Sequence, residues 1–97
     1  MKTIEIQYFG SIRAAAKKIR EEADFIPGIT VYDMLRRLAC ANEKDFRDEI
    51  FGDGGKDLRD DLTVTVNGAA INRENAPGII LNPGDSLALF PIFPGGG

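Results

Sequence analysis

The last eight residues of the chain, FPIFPGGG at positions 90–97, combine aromatic, proline and glycine residues in an order that suits entry into another protein. Proline fixes φ and has no N–H, so Pro91 and Pro94 favour an extended backbone outside a sheet. Seven residues from Pro91 can span roughly 23–25 Å. The glycines have no Cβ, so a partner's backbone can approach them closely. This pattern predicts an arm that presents a terminal carboxylate inside a partner.

A carboxylate at Gly97 is inert until it is activated. ATP can convert it to an acyl-adenylate, a mixed anhydride that thiols and amines attack, and glycine offers that attack the least steric resistance. The chain has no histidine and one cysteine, which removes Ser-His triads, histidine metal sites and an internal disulfide. We therefore expect this chain to bind no cofactor or metal, with ATP–Mg used by an activating partner. An ordinary frayed terminus is the alternative interpretation.

Length and charge limit the remaining functions. Ninety-seven residues make one domain, and a net charge of −3 argues against a nucleic-acid partner. No apolar run approaches the roughly 18–20 residues of a membrane span. The first residues carry charges where a signal peptide requires an apolar segment. We expect a cytoplasmic protein with neither nucleic acid nor membrane as a partner.

Hydrophobic periodicity predicts strands alternating with helices in the first half of the chain. Residues 2–9 alternate as a half-buried strand, Gly10 ends it, and Ser11 is expected to cap a short helix. The apolar face of that helix comprises Ile12, Ala15, Ala16 and Ile19. Residues 20–26 form a second strand whose inward register the pattern leaves open. Thr30 then caps the clearest helix, which Asn42 ends. Its apolar stripe comprises Val31, Met34, Leu35, Leu38 and Ala39.

The second half begins with an acidic stretch. Residues 43–61 hold eight acidic and four basic side chains, so we expect a mobile acidic surface insert with one helical turn near residues 46–51. Cys40, just before it, is expected to be half-buried. Residues 62–66 form a strong strand, Asn67-Gly68 is a hairpin turn, and residues 86–90 form the last strand. These elements predict an α+β roll over residues 1–91, with helices on one face of a mixed sheet and a flexible tail over 92–97.

Four segments resemble the MoaD/ThiS family of ubiquitin-like sulfur carriers, and within it the small subunit of molybdopterin synthase. They are YFGSIR at 8–13, TVYDML at 30–35, VNG at 66–68 and PGDSLALFP at 83–91, followed by the glycines. The resemblance implies a β-grasp fold and a C-terminal thiocarboxylate. An adenylyltransferase resembling ubiquitin-activating enzymes would adenylate the tail, and a sulfur donor would complete the thiocarboxylate. The chain would then be a non-catalytic, sulfur-donating subunit and not an enzyme on its own.

The resemblance also implies partners and site residues. The tail would enter the large subunit of molybdopterin synthase, in a heterotetramer, and give its sulfur to the dithiolene of the pterin. The family normally ends in Gly-Gly, so either Gly97 reacts or it is trimmed to leave Gly96. The family usually has Pro-Pro after the last strand. This chain has Pro91-Ile92 there, so its tail departs from the usual family sequence. The residues expected to contact partners are Phe90, Pro91, Ile92, Phe93, Pro94 and Arg13, with the reactive tail at Gly95, Gly96 and Gly97.

Three other functions are consistent with the same residues. A ubiquitin-like protein modifier would use the same activation but end in an isopeptide bond to lysine. A non-reactive β-grasp binding module would use the tail only as a terminus. A carrier could also deliver sulfur to another acceptor, such as the thiamin thiazole precursor.

Overall fold

The structure is a computed structural model that describes residues 2–52, 55 and 57–91. Over this part of the chain it contains five strands, three α-helices and one 3₁₀ turn. In chain order they are β1 Thr3–Tyr8, α1 Gly10–Ala16, β2 Arg20–Asp24, α2 Val31–Ala41, α3 Lys44–Ile50, β3 Thr63–Val66, β4 Ala69–Ile71, the 3₁₀ turn Arg73–Gly78 and β5 Ser86–Phe90. Among the helices so described, none combines the length and the apolar character that crossing a membrane requires.

The five strands form one mixed sheet in the order β2-β1-β5-β3-β4. β5 lies parallel to β1, with Tyr8 opposite Leu89, and the other neighbours are antiparallel. Alternate residues of β1 are buried, among them Ile6, and so are the three central residues of β5, Leu87 to Leu89. The prediction of a mixed sheet in an α+β fold is confirmed.

The β3–β4 hairpin turns through Asn67 and Gly68, as predicted. Their φ angles of 52° and 88° are the positive values that a two-residue type I′ turn requires. The Asn67 side chain also accepts a hydrogen bond from the Ser86 backbone N–H at 3.0 Å and donates one to Asp85 at 3.0 Å. The turn therefore fixes the start of β5 as well as the hairpin.

Helix α2 begins with a complete capping box at Thr30. The Thr30 hydroxyl accepts a hydrogen bond from the Asp33 N–H at 3.0 Å, and the Asp33 carboxylate accepts one from the Thr30 N–H at 3.2 Å. All five residues of the predicted apolar stripe are buried. Asn42 ends the helix, and its side-chain amide donates to the Leu38 carbonyl at 2.7 Å. The prediction for this helix is confirmed at both ends.

The prediction for α1 is wrong at both ends. Phe9, with no side-chain cap, precedes the helix, and Ser11 lies inside it and donates to Glu49 at 2.7 Å. Lys17 ends the helix in the left-handed conformation with a φ of 62°, so the chain turns before Ile19. Ile19 is consequently 68% exposed and does not belong to the apolar face. In β2, the register that the sequence left open places Ala23 inward.

The interpretation of residues 43–61 as a surface insert with a single helical turn is also corrected. Helix α3 spans seven residues there, and its Phe46 and Ile50 are fully buried. Phe51 and Leu58 are buried as well and pair across an isolated bridge. Four apolar side chains among the acidic ones anchor this segment to the core. Cys40, expected to be half-buried, is exposed.

Candidate functional site

The candidate site lies where β5 ends, inside the sheet and beside the end of β1. Phe90 is the last residue of β5 and pairs with Thr63 of β3. On the other side, the Phe9 N–H donates to the Leu89 carbonyl at 3.1 Å. Because β1 and β5 are parallel, the point where the chain leaves β5 meets the turn between β1 and α1. The sheet thus brings residues 9–10 and 90–91 together.

The rings of Phe9 and Phe90 stack on each other at this point. Their centroids are 4.4 Å apart and their planes differ by 12°. Tyr8 and Leu89 point into the core, so the alternation of both strands places the two phenylalanines on the opposite face. Phe9 is 36% exposed and Phe90 is half-buried. Exposed aromatic pairs of this kind are typical of protein interaction surfaces.

Pro91 lies directly against Gly10. A Cβ built on Gly10 would lie 2.7 Å from the Pro91 Cγ, which is closer than real Cβ atoms approach, and 3.1 Å from its Cδ, which is tighter than most. Gly10 also has a φ of +57°, a conformation that favours glycine. The proline ring therefore occupies the space that a side chain at position 10 would take. This contact sets the direction in which the backbone leaves the sheet.

Arg13 lies in α1, one helical turn after Gly10. Its backbone N–H donates to the Phe9 carbonyl at 3.2 Å, while its side chain is exposed. Within residues 2–52, 55 and 57–91, its guanidinium has no hydrogen-bond or ion-pair partner. An exposed guanidinium one helical turn after Gly10 suits a contact with an anionic partner group, and the role predicted for Arg13 stays a prediction.

Tyr8 anchors the end of β1 behind this surface. Its ring packs edge-on against Phe46, with centroids 5.5 Å apart, and its hydroxyl donates to Glu21. Burial, and then the hydrogen bond and charge of Glu21, raise the pKa of the Tyr8 hydroxyl well above its usual value. Tyr8 is therefore held firmly in the core, and Phe9 and Gly10 come directly after it in the chain.

Of the residues expected to contact partners, the structure describes Phe90 and Pro91, which lie next to each other at the end of β5, and Arg13, which lies one helical turn after Gly10. The other predicted positions lie outside the described residues: Ile92, Phe93, Pro94, Gly95, Gly96 and Gly97. The sequence does not single out Phe9 as a site residue, although an aromatic residue on the polar face of β1 is the signal that would find it. Across the part of the chain that the structure describes, no three His, Cys, Asp or Glu side chains are grouped as metal ligands.

Known proteins share this architecture. A model of the ThiS family matches residues 6–96. The crystal structure of the small archaeal modifier protein 1 of Haloferax volcanii is similar with a TM-score of 0.80 and 30% identity, covering 96% of this chain and 100% of that one. A putative molybdopterin converting factor, subunit 1, from Pyrococcus furiosus has a TM-score of 0.74 and 28% identity, covering 96% and 100%.

A more distant structure shares only the fold. Urm1 from Trypanosoma brucei has a TM-score of 0.77 at 22% identity, covering 98% of this chain and 96% of that one. No curated protein matches the chain at a significant level.

The strand order of the sheet, and the place beside β1 where the chain leaves β5, define a ubiquitin-like β-grasp protein. Since the family model covers nearly the whole chain, the chain belongs to the ThiS family of ubiquitin-like sulfur carriers.

Proposed function

We propose that this chain is a sulfur carrier whose C-terminal glycine is adenylated and then converted to a thiocarboxylate. The observation that supports this most directly is the contact between Gly10 and Pro91, which fixes the backbone direction immediately before residues 92–97. The family match continues through Gly96 and so includes two of the three glycines. A fixed exit followed by proline and glycine suits delivery of a carboxylate into a partner.

The chemistry requires two steps at the terminal carbonyl carbon. The carboxylate oxygen of Gly97, or of Gly96 after trimming, attacks the α-phosphorus of ATP and pyrophosphate leaves. A hydrosulfide equivalent then attacks the carbonyl carbon of the acyl-adenylate, the C–O bond to AMP breaks, and the C-terminus becomes a thiocarboxylate. An adenylyltransferase resembling ubiquitin-activating enzymes supplies ATP–Mg, and this chain contributes the carboxylate and no cofactor.

The surface next to the exit is proposed to dock the partners. Phe9 and Phe90 offer a stacked apolar contact, and Arg13 offers a positive charge one turn into α1. Aromatic and arginine side chains dominate the binding energy of many interfaces. The chain would then act as the non-catalytic, sulfur-donating member of a two-protein system.

For the acceptor of the sulfur, we propose the precursor of molybdopterin, with this chain as the small subunit of molybdopterin synthase. The support is the resemblance of residues 83–91 and the similarity to the P. furiosus molybdopterin converting factor subunit 1. The tail would enter a large subunit, in a heterotetramer, and give its sulfur to the dithiolene of the pterin.

A second candidate is a protein modifier that uses the same activation. Two solved structures of the H. volcanii small archaeal modifier protein 1, at 30% and 32% identity, favour it. A lysine amine would replace the hydrosulfide as the nucleophile, and the product would be an isopeptide. The two candidates therefore differ in the final chemical state of the same glycine.

The intact mass of the protein purified from its own cells tests these proposals. A sulfur carrier is expected to be heavier by one sulfur-for-oxygen exchange, at Gly97 or at a trimmed Gly96. A modifier would instead appear as branched glycine remnants on lysines of other proteins. An unmodified chain, even after incubation with ATP, sulfide and the cognate adenylyltransferase, would contradict both. A variant lacking Gly97 is the control that identifies the reacting residue.

A further inference from the structure

Residues of helices α2 and α3, together with Phe51, Gly52, Gly55 and Arg59, line an open hollow of about 840 Å³. Arg36 of α2, Lys44 and Arg47 of α3, and Arg59 line it, and Asp48 is the acidic residue among the described lining positions. Among the described lining residues this is a surplus of positive charge, on a chain whose net charge is −3. The hollow shares no lining residue with the site formed by Phe9, Gly10, Phe90 and Pro91, so it is a separate surface.

The guanidinium of Arg36 is held in position by uncharged groups. It donates to the Gly55 carbonyl at 3.2 Å and to the Tyr32 hydroxyl at 3.5 Å. It also lies 5.8 Å from the centroid of the Phe51 ring and 6.0 Å from that of Tyr32. Among the residues that the structure describes, the contacts of this guanidinium are cation–π contacts and neutral acceptors, which orient it without neutralising its charge. Arg36 is therefore preorganised but still able to pair with an anion.

The remaining cations differ in how open they are to a ligand. The guanidinium of Arg47 is exposed and has no hydrogen-bond or ion-pair partner among the described residues. Lys44 pairs with Asp48 at 2.6 Å, but both side chains are more than half exposed, and such pairs contribute little. Arg59 donates to the Asp48 carbonyl at 3.0 Å and pairs with the Asp61 carboxylate at 2.9 Å, so it contributes fewer open donors than Arg47 does.

We propose that this hollow binds a phosphate-bearing small molecule, such as a nucleotide or an inorganic polyphosphate. Planar guanidinium groups recognise phosphate oxygens with paired hydrogen bonds, and three arginines line one concavity. A concave surface whose described lining residues carry an excess of positive charge also concentrates anions. Its volume lies within the range of small-ligand sites, roughly 300–1,000 Å³. The proposal goes beyond the sulfur-carrier function and does not depend on it.

Titration of the intact chain with inorganic triphosphate, followed by amide chemical shifts, tests the proposal. ATP in a second titration distinguishes a polyphosphate site from one that also contacts a nucleoside. Saturable shifts are expected in α2, α3 and residues 57–59. Arg47→Gln is expected to weaken binding roughly tenfold because it removes charge-assisted hydrogen bonds. Arg37→Gln is the matched control: Arg37 neighbours Arg36 but donates to the Asp24 carbonyl outside the hollow, so less than about a twofold effect is expected.

Cys40 provides an independent readout, since it is exposed, lines the hollow and is the only cysteine in the chain. Bound triphosphate is expected to slow its alkylation by iodoacetamide, and Arg47→Gln to remove that protection. Absence of saturable shifts would overturn the proposal, as would equal weakening by Arg37→Gln and Arg47→Gln. Tighter binding of polyglutamate than of triphosphate would also overturn it, by assigning the hollow to an acidic protein surface.

Discussion

Gly10 and Pro91 approach so closely that a Cβ on Gly10 would lie 2.7 Å from the Pro91 Cγ. The two residues are separated by almost the whole chain, yet the parallel pairing of β1 and β5 brings them together. The start of α1 and the end of the sheet therefore share one packed contact. A change at position 10 acts directly on the backbone that leads into residues 92–97.

A double-mutant cycle between Gly10→Ala and Pro91→Ala is expected to show strong coupling. Gly10→Ala alone should lower the free energy of unfolding by more than the roughly 1–2 kcal/mol that a positive φ costs, because the new Cβ also meets the proline ring. Pro91→Ala should relieve the steric part in the double variant. Urea unfolding measures all four proteins. Gly84→Ala, with a φ of +86° and open space, is the control for backbone strain alone. Purely additive effects at positions 10 and 91 would contradict the contact.

The stacked pair Phe9 and Phe90 is expected to matter for activation more than for folding. Phe9→Ala should lower the kcat/KM for adenylation by about tenfold, which corresponds to about 1.4 kcal/mol of lost binding. ATP–pyrophosphate exchange with the cognate adenylyltransferase measures it. Ile80→Ala is the control, since Ile80 is 61% exposed beside Thr30, away from the chain exit. Equal losses in the two variants would assign the effect to general surface hydrophobicity.

The elements with strong local signals could be predicted from the sequence. Thr30 and Asp33 predict the start of α2, and Asn67-Gly68 predicts the hairpin turn. Both features depend on interactions between residues that are close in the sequence. The last strand, Ser86–Phe90, was predicted with its observed bounds.

The contacts that depend on distant residues could not be predicted in this way. Phe46 and Ile50 lie among acidic residues whose charge dominates the composition, and only packing against Tyr8 and its neighbours shows that they belong to the core. The candidate site also depends on contacts between residues that are distant in the sequence. The sequence predicts only that Gly10 ends the first strand, because its contact with Pro91 requires the parallel pairing of β1 and β5.

The capping box of α2 is expected to make a measurable contribution to stability. Thr30→Ala removes the oxygen that accepts the Asp33 N–H, so the free energy of unfolding should fall by about 1 kcal/mol. Thr30→Ser keeps this oxygen and should stay within about 0.5 kcal/mol of the wild type. Chemical denaturation measures both variants. Equal destabilisation by alanine and serine would show that the Thr30 methyl group, and not the cap, is responsible.

The buried hydroxyl of Tyr8 is expected to make the fold sensitive to alkaline pH. Burial raises its pKa in the folded chain above the usual 10.0, with Glu21 contributing further. As the pH rises above 10.0, the unfolded chain releases this proton while the folded chain keeps it, so the free energy of unfolding falls. Tyr8→Phe should cost about 0.5–1.5 kcal/mol at neutral pH, through the lost hydrogen bond to Glu21, and should then lose less than the wild type between about pH 9 and about pH 11. Chemical denaturation at several pH values measures how the difference in the free energy of unfolding between the wild type and Tyr8→Phe decreases as the pH rises. Glu21→Gln should retain most of the wild-type decline, because burial is the larger cause, and parallel curves for the wild type and Tyr8→Phe would contradict the raised pKa.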